Sequence, residues 1–576
     1  MCFLTKTFFG NLLTFGRKNS IIRISRKGKD FLDKSRLRQT IGEVKMKRKF
    51  DTFGVMIDMS RNAVMSMDGL KRFLPLLKKM GYNCVMLYTE DTYEVDNEPY
   101  LGYMRGRYTK EEMKALDEYA ASLGMTMIPC IQTLSHLNAT TRWKQLPRDW
   151  GDILMIDDDR TYEFIDHIFA TLSECFASRK IHIGMDEAYL VGRGKHMTKY
   201  GWEPPVELLT RHLNRIREIA KKYDYEVMMW SDMFFRWWNN GEYYAPKTTV
   251  PKELVDTFPK DVIPVYWDYY NTEEEKYSAM IQNHLQFSKN TWFAGAAWSW
   301  SGLIPHNKHS IKTMIPAMDA CKKHKIRNVV ITMWGDCGAE CSHFSQLPAL
   351  FYIAQYAKGV TDEEVIKKKF KSLVGIDYDD FMKIDLPNEV IPYSGAIKNP
   401  SRNMLFADCL CDYLDYTVIP GGSAHFEKCA EELHAIAKKN RRYGYVFDAA
   451  ATLCDALAVK YELGLKTRRA YEAGDKEELK RLANEEYTKA IKLIRRHYQA
   501  FEKQWMLDNK PYGFDIQDQR FGALCFRLES CRKKILAYAN GKLATLEGLE
   551  EELLPYMKKE ADFYHTSTAL WSTSVM

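Results

Sequence analysis

Two adjacent carboxylates, Asp186 and Glu187, follow the apolar, alternating run Lys180-Ile181-His182-Ile183-Gly184-Met185. Charged residues side by side are costly in a core unless they are paired or put to work, and the run before them has the alternation of a buried strand. At the carboxyl end of such a strand the pair would face a cleft, where two acids serve the proton transfers of a hydrolysis. Adjacent acids such as Asp117-Glu118, Asp362-Glu363 and Glu550-Glu551-Glu552 sit in solvated helical patterns and carry no such implication. His182 shares the side of Asp186 if the strand runs that far, either supporting it by a hydrogen bond or serving as a core histidine.

The elements that must position this pair are legible as alternation. Apolar strand patterns occur at Phe53–Met59, Tyr82–Tyr88, Met125–Ile131, Lys180–Met185, Glu226–Trp230, Val262–Trp267, Thr291–Trp298 and Asn328–Trp334. Helical periodicity fills 69–80, 111–123, 161–178, 205–222, 273–288 and 309–325, with a poorer signal at 251–258. Strands alternating with helices imply a parallel sheet covered by helices. Eight units in about 300 residues fit an α/β fold of the (β/α)8 TIM-barrel kind, followed by a mostly α-helical C-terminal domain. After each strand come residues suited to a site: Asp58 and Arg61; Glu90 and Asp91; Gln132 and His136; Asp232; Asp268, Tyr269 and Tyr270; Trp300; Asp336 and Glu340. In a barrel these converge on one mouth. No Gly-x-Gly-x-x-Gly turn follows the first strand, which weakens a dinucleotide-binding reading.

The expected domains are 1–49, a basic extension read as disordered or as translated upstream sequence; 50–357, the barrel; and 358–576, α-helical. Helices are expected at 423–440, 444–472, 475–507 and 517–541, with loops over 380–422. The island Trp505–Asp515 reads first as a loop between helices and second as a loop reaching back to the barrel rim. Residues 1–50 hold 14 Lys and Arg against 3 Asp and Glu, so the net charge of +7 leaves −4 for the remainder. That balance gives no case for nucleic acid binding by the main domains. No apolar run approaches the span of a bilayer, and the N-terminus has no signal-peptide cleavage pattern. Thirteen scattered cysteines, often in apolar runs, fit reduced thiols and a cytoplasmic location. Aromatic residues make up 13% of the chain, and Trp230, Trp267, Trp298 and Trp334 end or adjoin four successive strand patterns, as ligand-stacking side chains would.

The run His182-Ile183-Gly184-Met185-Asp186-Glu187 resembles the catalytic signature of glycoside hydrolase family 20, the β-N-acetylhexosaminidases. The resemblance extends through Ile57-Asp58-Met59-Ser60-Arg61, Pro129-Cys130-Ile131-Gln132-Thr133-Leu134-Ser135-His136 and Trp334-Gly335-Asp336, over about residues 50–357. The chain is more similar to the compact, hexosaminidase D-like branch, which lacks the N-terminal accessory domain. The resemblance implies a retaining exo-hydrolase of terminal β-GlcNAc or β-GalNAc on a glycan or glycoconjugate, acting through an oxazolinium-type intermediate made by the substrate's own acetamido group. Glu187 would be general acid and then base, and Asp186 would orient the acetamido group. Arg61 would bind sugar hydroxyls, unless it only pairs with Asp58. His136 resembles the His of a Pro-Gly-His motif, without the Pro-Gly. Trp230, Trp267, Trp298 and Trp334 would box the acetamido methyl and sugar ring, with Tyr269 or Tyr270 on the acetamido oxygen. Asp336 stands where relatives carry Trp-x-Glu, with Glu340 close behind. Neither cofactor nor metal is implied, and a homodimer is compatible. The competing readings are a non-catalytic carbohydrate-binding barrel and a metal-dependent hydrolase using His136, His182 and a carboxylate.

Overall fold

In the computed structural model, residues 50–245, 249–393, 399–411 and 414–554 are described; the basic extension read at 1–49 lies outside them. Eight parallel strands close into a barrel in sequence order: β1 (Thr52–Asp58), β2 (Cys84–Tyr88), β3 (Thr126–Cys130), β4 (Lys180–His182), β5 (Glu226–Trp230), β6 (Ile263–Trp267), β7 (Trp292–Ala296) and β8 (Asn328–Met333). β1 closes on β8 with Thr52 opposite Asn328 and Ile57 opposite Met333. The strands are buried almost throughout, as Cys-Val-Met-Leu-Tyr of β2 shows, because helices cover a parallel sheet outside while side chains fill it inside.

The covering helices are α1 (Met67–Met80), α2 (Lys110–Ser122), α3 (Asp159–Cys175), α4 (Pro205–Lys222), α5 (Glu274–Phe287), α6 (Asn307–Lys323) and α7 (Leu347–Ala357), with the short helices Asp232–Trp238 and Lys252–Thr257 after β5. Local chemistry sets their ends. Ser66 caps α1 by accepting the Gly69 N–H at 3.0 Å, and Gly81 ends it in the left-handed region. Thr109 and Glu112 form a capping box on α2.

Beyond Ala357 the described residues are mostly helical, including α8 (Gly422–Lys439), α9 (Gly444–Lys460), α10 (Leu463–Glu472), α11 (Tyr487–Asp508) and α12 (Phe514–Ala539). Two expected helices are divided. The 444–472 run breaks where Glu462 turns its carboxylate to the Gly421 and Ser423 N–H groups at 3.0 and 3.3 Å. The 475–507 run contains a π turn, Leu482–Glu486. The span 380–422, expected as loops, carries short helical turns at Lys383–Asn388, Pro400–Phe406 and Asp415–Thr417.

The Trp505–Asp515 island takes the second of its two readings. Asn509 bridges Met65 in antiparallel fashion, and the Lys510 N–H donates to Val64 O at 2.8 Å. Lys510 Nζ reaches Glu112 at 2.6 Å. Gly513 sits at φ 85° so close to Asn62 that a β-carbon would lie 2.3 Å from its carbonyl oxygen, so only glycine fits. The loop after β1 is thereby fastened to the C-terminal helices. A second fastening is a buried charge triad, in which Glu340, after β8, pairs with Arg402 at 2.8 Å and with Arg520 of α12. Arg520 also donates to Cys337 O at 3.1 Å, one residue past Asp336.

Candidate active site

The site begins where β4 stops early. The strand was expected to reach Met185, but it ends at His182, because Gly184 and Met185 take φ 73° and 72° and Glu187 takes 53°. Left-handed backbone cannot continue a parallel ladder, and a residue with a side chain pays on the order of 1–2 kcal/mol to adopt it. Gly184 has a steric reason as well, since a β-carbon there would lie 2.0 Å from Gln132 Oε1. The turn is held by its neighbours: the Met185 N–H donates to Gln132 Oε1 at 3.1 Å, the Glu187 N–H to Asp232 Oδ2 at 3.1 Å, and the Ser135 hydroxyl to Asp186 O. Strand alternation, which would send consecutive side chains apart, is undone. Asp186 Oδ2 and Glu187 Oε2 both come to His136 Nε2, at 3.3 and 3.7 Å.

His136 is itself left-handed, at φ 57°, with its backbone N–H on Asp152 Oδ2 at 2.9 Å. Burial disfavours its charged form, but the Asp186 carboxylate outweighs this and lifts its pKa to about 10. Asp186 is the converse case. Burial would raise it, yet His136 and the Gln132 amide, at 2.7 Å, bring it below the usual carboxylate value. The same Gln132 nitrogen donates to the Tyr88 hydroxyl at 2.8 Å, which fixes the orientation of its amide.

A group whose pKa is raised on folding, here from 6.5, stabilises the fold fully below the unfolded value and loses that contribution as pH rises through the folded one. Thermal unfolding of wild type and His136→Gln between pH 6 and 10.5 should therefore show a stability gap that is widest near pH 6 and closes as pH passes about 10. A gap independent of pH would mean that His136 is neutral in the folded protein.

The rest of the mouth is acidic and crowded. Arg61 pairs with buried Glu90 at 3.2 Å, not with Asp58. Asp58 instead accepts the Ser60 N–H at 2.8 Å and the Gly335 N–H at 3.0 Å, tying the end of β1 to the end of β8. Burial lifts Glu90 to about 7 against the pull of Arg61. Asp336 is open to solvent yet ringed by protein, as at the floor of a concavity, and loss of bulk water lifts it to about 6, with Arg61 drawing it back. Asp232 is raised to about 7 by burial and then by the charges of Asp186 and Glu187. A surplus of carboxylates favours a cationic transition state and keeps protons available near neutrality.

Aromatic rings form one wall. Trp334 meets Tyr88 edge-on at 4.7 Å and lies 6.0 Å from Trp230 and 6.5 Å from Tyr269; Trp267 stacks on Tyr269 at 5.3 Å. Tyr269, whose phenol feels the Asp186 charge, is the tyrosine of this wall, while Tyr270 lies outside it against Trp298. Trp298 is placed one layer back from its expected position. It is buried, stacks on Trp300 at 3.9 Å and donates to Tyr269 O at 3.0 Å, so Trp300, 5.8 Å from Tyr269, takes the wall position. His182 does not share the face of Asp186. It is fully buried 4.4 Å from Trp230, is kept neutral by burial with a pKa of about 3, and accepts the Gly184 N–H on Nδ1 at 3.2 Å. Among the described residues, His136, His182 and a carboxylate do not come together as a metal-ligating group. Glu340 belongs to the buried triad rather than to the pocket.

Sequence reasoning passed over Gln132 and Asp232 as strand-end polar residues and missed Tyr189, whose hydroxyl donates to Glu187 Oε1 at 2.9 Å. Proximity to the Asp-Glu pair was the one available signal for Tyr189. Two features elsewhere do not compete. A cavity of about 750 Å³ opens at the opposite end of the barrel among the strand starts Thr52, Cys84, Thr126 and Glu226, away from the face where barrels hold their chemistry. Asp157, His196 and Glu203 lie close enough together to suit a metal, but Arg211 already reaches Asp157 at 2.6 Å and Glu203 at 2.9 Å.

Residues 50–286 match the family described as glycosyl hydrolase family 20, catalytic domain, and residues 379–568 match the glycoside hydrolase 20C C-terminal domain. The chain is 20% identical to hexosaminidase D of Bos taurus over 347 residues, 56% of this chain and 94% of the relative. Hexosaminidase D of Homo sapiens is 21% identical over 366 residues, 58% of this chain and 70% of the relative. Among solved structures, the chain is similar to the GH20 beta-N-acetylhexosaminidase from Streptomyces coelicolor A3(2), at 19% identity and a TM-score of 0.41, over 57% of this chain and 70% of that one.

Proposed function

The chain belongs to glycoside hydrolase family 20, and from that premise we propose that it is a retaining exo-β-N-acetylhexosaminidase that removes terminal β-linked GlcNAc or GalNAc by substrate-assisted catalysis. The observation that carries the reading is the convergence of Asp186 and Glu187 on one imidazolium, at 3.3 and 3.7 Å. Two carboxylates brought to one ring can serve one substrate together, and this family is one in which the substrate's own acetamido group, not a protein carboxylate, is the nucleophile.

The steps then divide between the pair. Asp186, held ionised, accepts the acetamido N–H and turns its carbonyl oxygen toward C1. That oxygen bonds to C1 as the glycosidic C1–O bond breaks, and Glu187 gives its proton to the departing oxygen. Glu187, now a carboxylate, takes a proton from water as the water attacks C1, the oxazolinium C1–O bond opens and the acetamido group is restored. The positive charge on the ring forms beside Asp186. The wall of Trp230, Trp267, Tyr269, Trp300 and Trp334 encloses the acetamido methyl and the sugar's apolar face. Arg61, with its planar donor fork, and Asp336 grip the hydroxyls.

Purified protein should hydrolyse aryl β-GlcNAc and β-GalNAc but leave aryl β-glucoside, which has no acetamido group, untouched. Asp186→Asn should lower kcat about a hundredfold, the scale of one misplaced orienting group, and a thiazoline analogue of the oxazoline should inhibit strongly. Equal cleavage of the glucoside, or a covalent glycosyl adduct on a carboxylate seen by mass spectrometry, would overturn the mechanism.

A further inference from the structure

We propose that Tyr189 forms a leaving-group subsite that takes the next sugar of a β-linked oligosaccharide, an inference that rests on the reading of Glu187 as general acid. The argument begins with an aromatic side chain in an unusual position. The Tyr189 hydroxyl is bound to the Glu187 carboxylate at 2.9 Å, yet the residue is 44% exposed. The Glu187 side chain is itself 40% exposed, so acid and ring open to solvent together. The ring is held at the mouth by a closed circuit of contacts. Glu187 donates its backbone N–H to Asp232 at 3.1 Å, Asp232 meets Arg236 Nε at 3.6 Å, the Arg236 guanidinium lies 5.0 Å from the Tyr189 ring centroid, and Tyr189 returns to Glu187. The cation supports one side of the ring, and the exposed remainder opens beside the acid.

Distance then decides what the ring would meet. A general acid works within about 3 Å of the oxygen that it protonates, and Tyr189 is hydrogen-bonded to that same carboxylate. The first residue of the departing group therefore starts next to Tyr189, whereas the sugar being cleaved lies against the wall from β5 to β8. Pyranose rings carry apolar C–H faces that pack on aromatic rings.

The test uses the full chain and two substrates that differ only on the leaving side: the β-linked disaccharide of GlcNAc, and β-N-acetylglucosaminyl fluoride, whose leaving atom has no ring. With Tyr189→Ala, KM for the disaccharide should rise about tenfold relative to KM for the fluoride, the scale of one apolar pocket contact, whatever change in kcat the two substrates share through the lost hydrogen bond to Glu187. Tyr189→Phe, which keeps the ring, should retain the wild-type KM for the disaccharide. Parallel losses on both substrates, or an unchanged disaccharide KM in Tyr189→Ala, would overturn the subsite. Failure of the wild-type protein to cleave either substrate would instead overturn the hydrolase reading beneath it.

Discussion

Glu187→Gln should reduce kcat/KM for the GlcNAc disaccharide by about 10² to 10⁴-fold, the usual contribution of a positioned general acid. Glutamine is nearly isosteric and can still accept the Tyr189 hydroxyl, and the backbone N–H that meets Asp232 is unaffected. Loss of the turn is therefore not expected, and the melting temperature should stay close to wild type. The loss should depend on the leaving group. A dinitrophenyl glycoside departs without a proton, so the variant should retain far more of its rate on that substrate than on the disaccharide. Equal losses on both would mean that Glu187 acts on binding or on the fold, and an active variant would remove it from proton transfer altogether.

Glu340→Ala should destabilise the protein by about 3–5 kcal/mol, the scale for removing one partner of a buried ion pair. Glu340, Arg402 and Arg520 are each 1–2% exposed at the side chain, so the substitution removes from the interior the carboxylate that both guanidinium groups share. Burial alone would raise the Glu340 pKa, but the two arginines bring it below its ordinary value. Its contribution is present above the unfolded carboxylate pKa and is lost as pH falls through the lower folded one. Denaturant unfolding at pH 7 measures the loss directly, and at pH 3 the gap to wild type should be smaller. Replacing all three residues with Met or Leu should recover much of the stability, because well-packed apolar groups avoid the desolvation cost that the ions incur. A stable Glu340→Ala with an unchanged midpoint would show that the triad is solvated in solution.

These expectations draw unequally on the sequence. The eight strands were legible because a strand buried on both faces must be written in Val, Ile, Met and aromatic residues, and the structure places each within one or two residues of its pattern at most ends. β4 is the exception. Its apolar alternation runs on to Met185, but Gln132 and Asp232, which bend the backbone, come from the ends of other strands. For the same reason the amide that orients Asp186 was invisible beside the acid itself. Trp298 and Trp300 both lie past the end of β7 at Ala296, where strand alternation no longer says which way a side chain faces. Glu340 looked like a pocket acid because it follows Asp336 closely, while the arginines that claim it lie 62 and 180 residues away. Adjacent charges can be read in a sequence, but distant partners only once the fold has brought them together.

The fastening of the β1 and β8 loops to the C-terminal helices bears on how the enzyme fails. Arg61 and Asp336 stand on those two loops, which flank the seam where the first and last strands of the barrel join. Gly513, Lys510 and Arg520 grip that seam from far beyond Ala357, where the last barrel helix ends. Heat or denaturant that frees the helices would open the barrel at its closure and pull Arg61 and Asp336 out of register together. Inactivation and unfolding should then be a single event on one time course, with no lingering form that is folded but unable to hold its substrate.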